Sequence, residues 1–349
     1  VSAAQAGDRT AFETLVKPYQ HELLVHCYQM LGSVHDAEDL VQETLIRAWE
    51  KCATFTSPGS YRAWLYRIAT NLCLNTLTRV PRRSLPPSTH PQTDPTRPLP
   101  PSLREPIWLE PFPDDLLADQ HTDPEDHALQ RERITLAFLV ALQHLTPAQR
   151  AILLLREVLD WPASEVAEWL NLSVPAVNSA LQRARRTLQQ LHELREAPIA
   201  LPTPQLQTLL DRYVALWEQA DIPGLVALLR EDAWFTMPPT PGWFQGRAAI
   251  ATFFRTTVFT VPGKWRLLPT RANASPAFGL YRWEASAGVY RLFGLLVLGI
   301  VGEQIANTVT FLELSSLSPF ALPDTFPSSA PSDLSCHPRE SGPRGSHWP

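Results

Sequence analysis

The sequence predicts a multidomain protein in which two all-α units precede a C-terminal α+β cone. Three observations predict it. Apolar residues recur at spacings of three and four through most of residues 4–197, the period of an amphipathic helix. Proline-crowded breaks follow residue 80 and residue 197. Beyond the second break the pattern changes to two helices and then strand-like runs with one more helix among them. The expected units are a helical bundle at 1–80, a proline-rich acidic linker at 81–123, a helix-turn-helix unit at 124–197, the cone at 205–320 and a disordered tail at 321–349.

Composition bounds the function. The 349 residues are 44% hydrophobic, ordinary for globular protein, but 34 prolines call for long extended connectors. Net charge is −5, so any nucleic-acid role must rest on local patches. Cys27, Cys52, Cys73 and Cys336 show neither the paired spacing nor the histidine spacing that would suggest zinc, so neither metal nor cofactor is expected. With no signal peptide at its start the sequence predicts an intracellular, reduced, cytoplasmic protein. The apolar run 292–301 is too short, and too interrupted by glycine, to span a membrane. Val1 in place of methionine fits an alternative start codon or an absent beginning.

In order, residues 4–30 carry Phe12, Leu15, Val16, Tyr19, Leu23, Leu24, Cys27 and Tyr28 as a core stripe, with Pro18 expected to kink or split the helix. A second helix opens at Ser33 or Asp36 and ends near Lys51. It buries Leu40, Val41, Thr44, Leu45, Ala48 and Trp49 and leaves a polar ridge of Asp39, Gln42, Glu43 and Arg47 outside. After a loop at 55–60, a third helix at 61–78 turns Trp64, Leu65, Ile68, Ala69, Leu72 and Thr76 inward and Arg67, Asn71 and Asn75 elsewhere. Arg62, Arg67, Arg79, Arg82 and Arg83 fall in this stretch with no acid among them, a field suited to phosphate. Taken alone, the acidic ridge fits a solvated face better, and the aromatics Trp49, Tyr61, Trp64 and Tyr66 fit core or boundary positions better than base-stacking platforms.

The residues DAEDLVQETLIRAW (36–49) and YRAWLYRIATNLCLNTL (61–77), with GDRTAFETLVKPY before them, resemble region 2 of the extracytoplasmic-function (ECF) group of bacterial sigma-70 factors. The resemblance implies that Asp39, Gln42 and Glu43 contact the clamp helices of the RNA polymerase β′ subunit. It also implies that Asn71, with Arg67, Asn75, Arg79 and Arg82, captures the non-template strand of the promoter −10 element. The basic run to Arg83 would hold that melted strand.

The linker at 81–123 reads as a spacer, yet Ile107, Trp108, Leu109 and Phe112 are large apolar residues that a spacer does not need. WLEP (108–111) resembles a linker signature of sigma factors with a C-terminal extension, which implies docking. A helix is expected from about residue 124 to His144, and Thr146-Pro147 starts the next. SEVAEWLNLSVPAVNSALQRARRTLQQL (164–191) reads as a helix-turn-helix whose second helix exposes Ala176, Asn178, Ser179 and Gln182 to base edges and Arg183, Arg185 and Arg186 to phosphate. With LTPAQRAILLLREVLDW before it, this resembles sigma region 4, which reads the −35 element. Many relatives have arginines where this chain has Asn178 and Ala180, so the preferred −35 sequence should differ.

In the last unit, LDRYVALWEQADIPGLVALLREDAWFTMPP (210–239) and GRAAIATFF (246–254) resemble the SnoaL-like, NTF2-type cone. Its curved antiparallel sheet would enclose an apolar pocket lined by residues such as Trp217, Trp234, Met237, Trp243, Phe253, Trp265 and Tyr281, with Asp232 and Arg271 as polar groups. Some members of that fold are isomerases or cyclases that move protons with Asp or His. No histidine lies between His192 and His337. The expected function is a non-catalytic, cofactor-free sigma factor whose cone, with a small-molecule ligand as a candidate partner, modulates activity. Two alternatives stand beside it: a ligand-sensing helix-turn-helix regulator, which leaves the first unit unexplained, and a fused pocket enzyme.

Overall fold

The computed structural model describes residues 1–55, 60–103, 108–117, 134–193, 203–261 and 263–327. Four helices build the first unit: α1 (Ser2–Gln5), α2 (Arg9–Leu31), α3 (Val34–Lys51) and α4 (Tyr61–Leu77). Asp8, Ser33 and Ser60 cap α2, α3 and α4 by accepting from the amides of Ala11, Asp36 and Ala63. α2 runs through Pro18 without being split. Gly32 ends it in the left-handed conformation, and a side chain there would place its Cβ 2.5 Å from Leu109.

The second unit comprises α5 (Leu136–Gln143), α6 (Pro147–Leu153) with a π turn at Leu154–Val158, α7 (Ala163–Leu170) and α8 (Val174–Glu193). Thr146 and Gln149 form a reciprocal capping box at the start of α6. The part of the helix expected before residue 134 lies outside the described residues. One continuous apolar cluster joins both helical units, running from Leu23, Tyr28 and Cys73 to Ile152, Val166 and Leu181.

The last unit holds α9 (Thr203–Glu218), α10 (Ile222–Ala227), β1 (Leu229–Thr236), β2 (Trp243–Gln245), α11 (Arg247–Phe253), β3 (Trp265–Ala272), β4 (Ser275–Glu284), β5 (Val289–Val301), β6 (Gln304–Phe311) and β7 (Thr325–Pro327). The sheet order is β2-β1-β6-β5-β4-β3, with β7 on the free end of β5. It is not wholly antiparallel as expected, because β1 and β6 pair in parallel. Short β2 and β7 went unread in the sequence, and β7 gives regular structure to part of the tail expected to be disordered. The tail from 328 onward lies outside the described residues.

Both faces of this sheet are covered. Leu296 and Leu298 join the concave cluster with Tyr213, Trp217, Phe235, Phe244, Phe253, Phe254, Trp265 and Phe278. Leu295 and Val297 point the other way and pack with Leu85 and Leu109 of the linker, Leu136 and Val140 of α5, and Leu317 and Phe320. A strand buried on both faces reads as an unbroken apolar run, which is why 292–301 is so hydrophobic. Among the described residues no helix is long and apolar enough to cross a membrane.

Candidate functional site

On α3 the buried face is Val34, Ala37, Val41, Thr44 and Ala48. Asp39 and Gln42 are exposed, and Glu43 is half-buried in an ion pair with Arg47 at 2.7 Å. Ile46 adds an exposed apolar side chain to the helix, and Trp49 packs edge-on against Phe12 at 5.1 Å. Burial raises the Glu38 carboxyl above its usual range, with Asp39 and Glu110 adding to the rise and His35 opposing it.

On α4 the residues Arg67, Asn71 and Asn75 are exposed, as are Arg79 and Arg82 beyond its end. Tyr61 and Tyr66 are core, not platforms for bases. Arg83 departs from expectation. Its side chain is only 10% exposed and donates to Asp36 at 2.7 Å, to Glu110 at 3.3 Å and to the Trp108 carbonyl at 3.0 Å, so it braces the linker and does not face a strand.

Asn171 turns the chain between α7 and α8 with φ 53°, and Ser173 accepts from the Ala176 amide at 3.3 Å. Val177, Ala180, Leu181 and Ala184 are buried beneath α8. Asn178, Ser179, Gln182, Arg183, Arg185 and Arg186 are exposed and Ala176 half-buried, with Arg185 paired to Glu157.

The two helical units touch, with Arg67 of the candidate −10 surface at the contact. Glu168 of α7 lies 3.9 Å from Arg67. Trp161 packs on Tyr66 at 5.7 Å. Arg150, 1% exposed, donates to the Met30 carbonyl at the end of α2 and, at 3.1 Å, to the Leu142 carbonyl. Burial lowers its guanidinium to about 10.

A second junction ties the cone to both. Asn273, fully buried in the β3–β4 turn, accepts from the Phe112 amide at 3.0 Å and donates to Tyr28 Oη and to the Ile134 carbonyl, both at 2.9 Å. Asp114 accepts from Arg271 at 2.9 Å and from the Ala274 amide at 2.7 Å. Arg271 therefore leaves the list of pocket residues: it lies on the outside of the cone, held by the linker. Asp232 is exposed and paired with Arg230 at 2.9 Å, which lowers its carboxyl, so it too is outside. Trp234 packs on the outer face. Trp243 is tied to the linker, its Nε1 donating to the His90 carbonyl at 2.8 Å.

Trp217, Met237 and Trp265 do belong to the concave cluster, where Leu99 of the linker joins them. Trp217 Nε1 is buried with no hydrogen-bond partner among the described residues. Nothing in the sequence signals a role for Asn273 or Arg150, and Tyr28 stands there only in a core stripe; WLEP, which contains Glu110, is the one signal that points to this junction.

Three family models match the chain: sigma-70 region 2 over residues 15–83, sigma-70 region 4 over 135–188, and a SnoaL-like domain over 210–308. The chain is 44% identical over 320 residues to the ECF RNA polymerase sigma factor SigG of Mycobacterium tuberculosis strain H37Rv, covering 91% of this chain and 85% of that one. It is 31% identical over 218 residues to SigJ of the same strain, covering 62% of this chain and 61% of SigJ. The crystal structure of M. tuberculosis SigJ is similar in fold, with a TM-score of 0.59 at 21% identity over 88% of this chain and all of that one (100%).

Proposed function

This chain belongs to the ECF RNA polymerase sigma factors, and from that premise we propose how its surfaces divide the work of starting transcription at chosen promoters. Asp39, Gln42 and Glu43 on α3 dock on the clamp helices of the polymerase β′ subunit. Asn71 holds a base of the −10 strand, with Arg67, Asn75, Arg79 and Arg82 around it. On α8, Asn178, Ser179 and Gln182 read −35 base edges beside Ala176, while Arg183, Arg185 and Arg186 hold phosphate. The observation that carries this reading is the placing of an exposed acidic ridge and an exposed Arg/Asn ridge on neighbouring helices of one bundle.

The same reading makes the described arrangement an off-promoter state. The −35 and −10 elements lie about 25 base pairs apart, roughly 85 Å of B-DNA at about 34 Å per ten base pairs. Arg67 within 3.9 Å of Glu168 is incompatible with α4 and α8 serving both elements at once. The cone cements this closed form through Asn273 and Asp114, and thereby modulates activity. Trp217 Nε1–H, buried without an acceptor among the described residues, favours a ligand for the cone: an apolar small molecule with a hydrogen-bond acceptor.

The test is promoter-dependent transcription with purified core polymerase, comparing the full chain, Asp39→Arg and Asn273→Ala. Initiation by the full chain, silence from Asp39→Arg and altered output from Asn273→Ala are expected. Initiation by Asp39→Arg at the parent level would reduce the ridge to a solvated face.

A further inference from the structure

The helix proposed to meet polymerase has its N-terminus held by a residue of the linker. The first amides of a helix have no partner within it. At α3, Glu110 Oε2 accepts from the Val34 amide at 3.1 Å and from Ser33 Oγ at 2.9 Å, which places a carboxylate on the positive end of the helix dipole. Arg83 fixes the other carboxylate oxygen at 3.3 Å. The Glu110 backbone is also fixed, its amide donating to the Gly32 carbonyl at 3.0 Å and its carbonyl accepting from Tyr28 Oη at 2.7 Å.

From there the chain runs Glu110-Pro111-Phe112-Pro113-Asp114, and its non-proline residues divide between two neighbours, Glu110 on the first helical unit and Phe112 and Asp114 on the cone. Glu110 holds α3, Phe112 exchanges hydrogen bonds with Asn273 through its amide and, at 2.9 Å, its carbonyl, and Asp114 holds Arg271 and Ala274. The two interleaved prolines fix φ, so this segment is a short stiff strut and not a slack tether. A shift of the β3–β4 turn at one end therefore moves the carboxylate at the other.

We propose that Glu110 is a positioning residue for α3, through which the seating of the linker on the cone sets the affinity of the acidic ridge for polymerase. This rests on the reading of α3 as the polymerase helix. The segment is a relay with two anchors, one at Asn273 and one at Ser33 and Val34.

The experiment measures the affinity of full-length protein for core RNA polymerase, alongside urea stability, for Glu110→Ala, Glu110→Gln, Asn273→Ala, the double alanine variant and Asp39→Arg. A carboxylate at a helix N-terminus stabilises the helix, so Glu110→Ala is expected to weaken binding about tenfold, equivalent to about 1.4 kcal/mol. Asn273→Ala weakens it comparably, and the double variant no further than the weaker single one, the signature of one shared path. Glu110→Gln, which keeps an acceptor for the Val34 amide, returns to within about threefold of the parent.

Binding by Glu110→Ala within twofold of the parent, while Asp39→Arg abolishes it, overturns the inference and leaves the polymerase surface standing. So do losses that multiply in the double variant, or a glutamine variant as weak as alanine. Unchanged affinity in Asp39→Arg overturns the polymerase reading and this inference with it.

Discussion

Replacing Asn273 by alanine removes the three hydrogen bonds that its side chain makes at the cone junction and leaves its partners in place. The Phe112 amide and the Ile134 carbonyl lose their partner in a site where Phe112, Ile134 and Asn273 are all fully buried. Each stranded group costs about 1–3 kcal/mol. Tyr28 suffers less, since its hydroxyl keeps the Glu110 carbonyl at 2.7 Å. Residue 273 also sits at φ 53°, where asparagine is tolerated and alanine adds about 1–2 kcal/mol. Because the three losses share one site they do not simply add, and about 3 kcal/mol is the working figure. That is roughly a hundredfold in the equilibrium for opening the junction. Hydrogen exchange followed by mass spectrometry on peptides spanning 108–117 reads it directly, and the Phe112 amide should exchange about a hundredfold faster than in the parent. Asn273→Gly accepts the backbone conformation but deletes the same bonds, so it should retain most of the effect. Exchange within threefold of the parent in both variants would refute the reasoning, and an effect in alanine alone would assign it to backbone strain.

Asn71→Ala should abolish selection among −10 variants in a promoter library and leave affinity for core polymerase unchanged; equal loss of both would remove Asn71 from the −10 surface. Arg150→Ala and Arg150→Met both strand the Met30 and Leu142 carbonyls and both spare the desolvation of a guanidinium, but only methionine fills the space. Urea unfolding should therefore find the alanine variant weaker than the methionine one by about 2 kcal/mol, and equal stabilities would show that the volume of the buried side chain at 150 carries no packing energy. Burial lowers His26 from 6.5 to about 4, with its Nε2 against Thr70 Oγ1 at 2.9 Å. Above pH 6.5 the imidazole is neutral in both folded and unfolded chains, and as pH falls toward 4 only the unfolded chain gains the proton, so about 3 kcal/mol of stability is lost over that window. His26→Gln should flatten this slope, and an undiminished slope would place the titration elsewhere.

The helical units were legible because each helix buries one face at regular spacing, which also forces Asp39, Gln42, Asn71 and Gln182 outward. Their exposure follows from period alone. The cone was harder, since alternation along a strand tells its two sides apart only when one side meets water. Here the outer side is buried under the linker and α5, so nothing in the sequence said that Arg271 and Trp234 face outward. Arg83 was misread for a different reason: a basic residue in a basic stretch looks free until its acids, Asp36 and Glu110, are brought from 47 and 27 residues away. Asn273 had no signal at all, because an asparagine between two strands is what any tight turn prefers.

Leu99 completes the concave core of the cone, and Leu85 and Leu109 complete its outer one. A connector that donates side chains to the interior of a domain lying beyond the whole second helical unit ceases to be an interchangeable spacer. Grafting this cone onto another protein would leave seams where those leucines belong, and a gene cut after α8 would make a protein whose middle is sticky. Chimaeras and premature stops should fail as insoluble material before they fail as regulators. Drift in the linker and drift in the cone are thereby bound to one another, so that the two must be inherited as a matched pair.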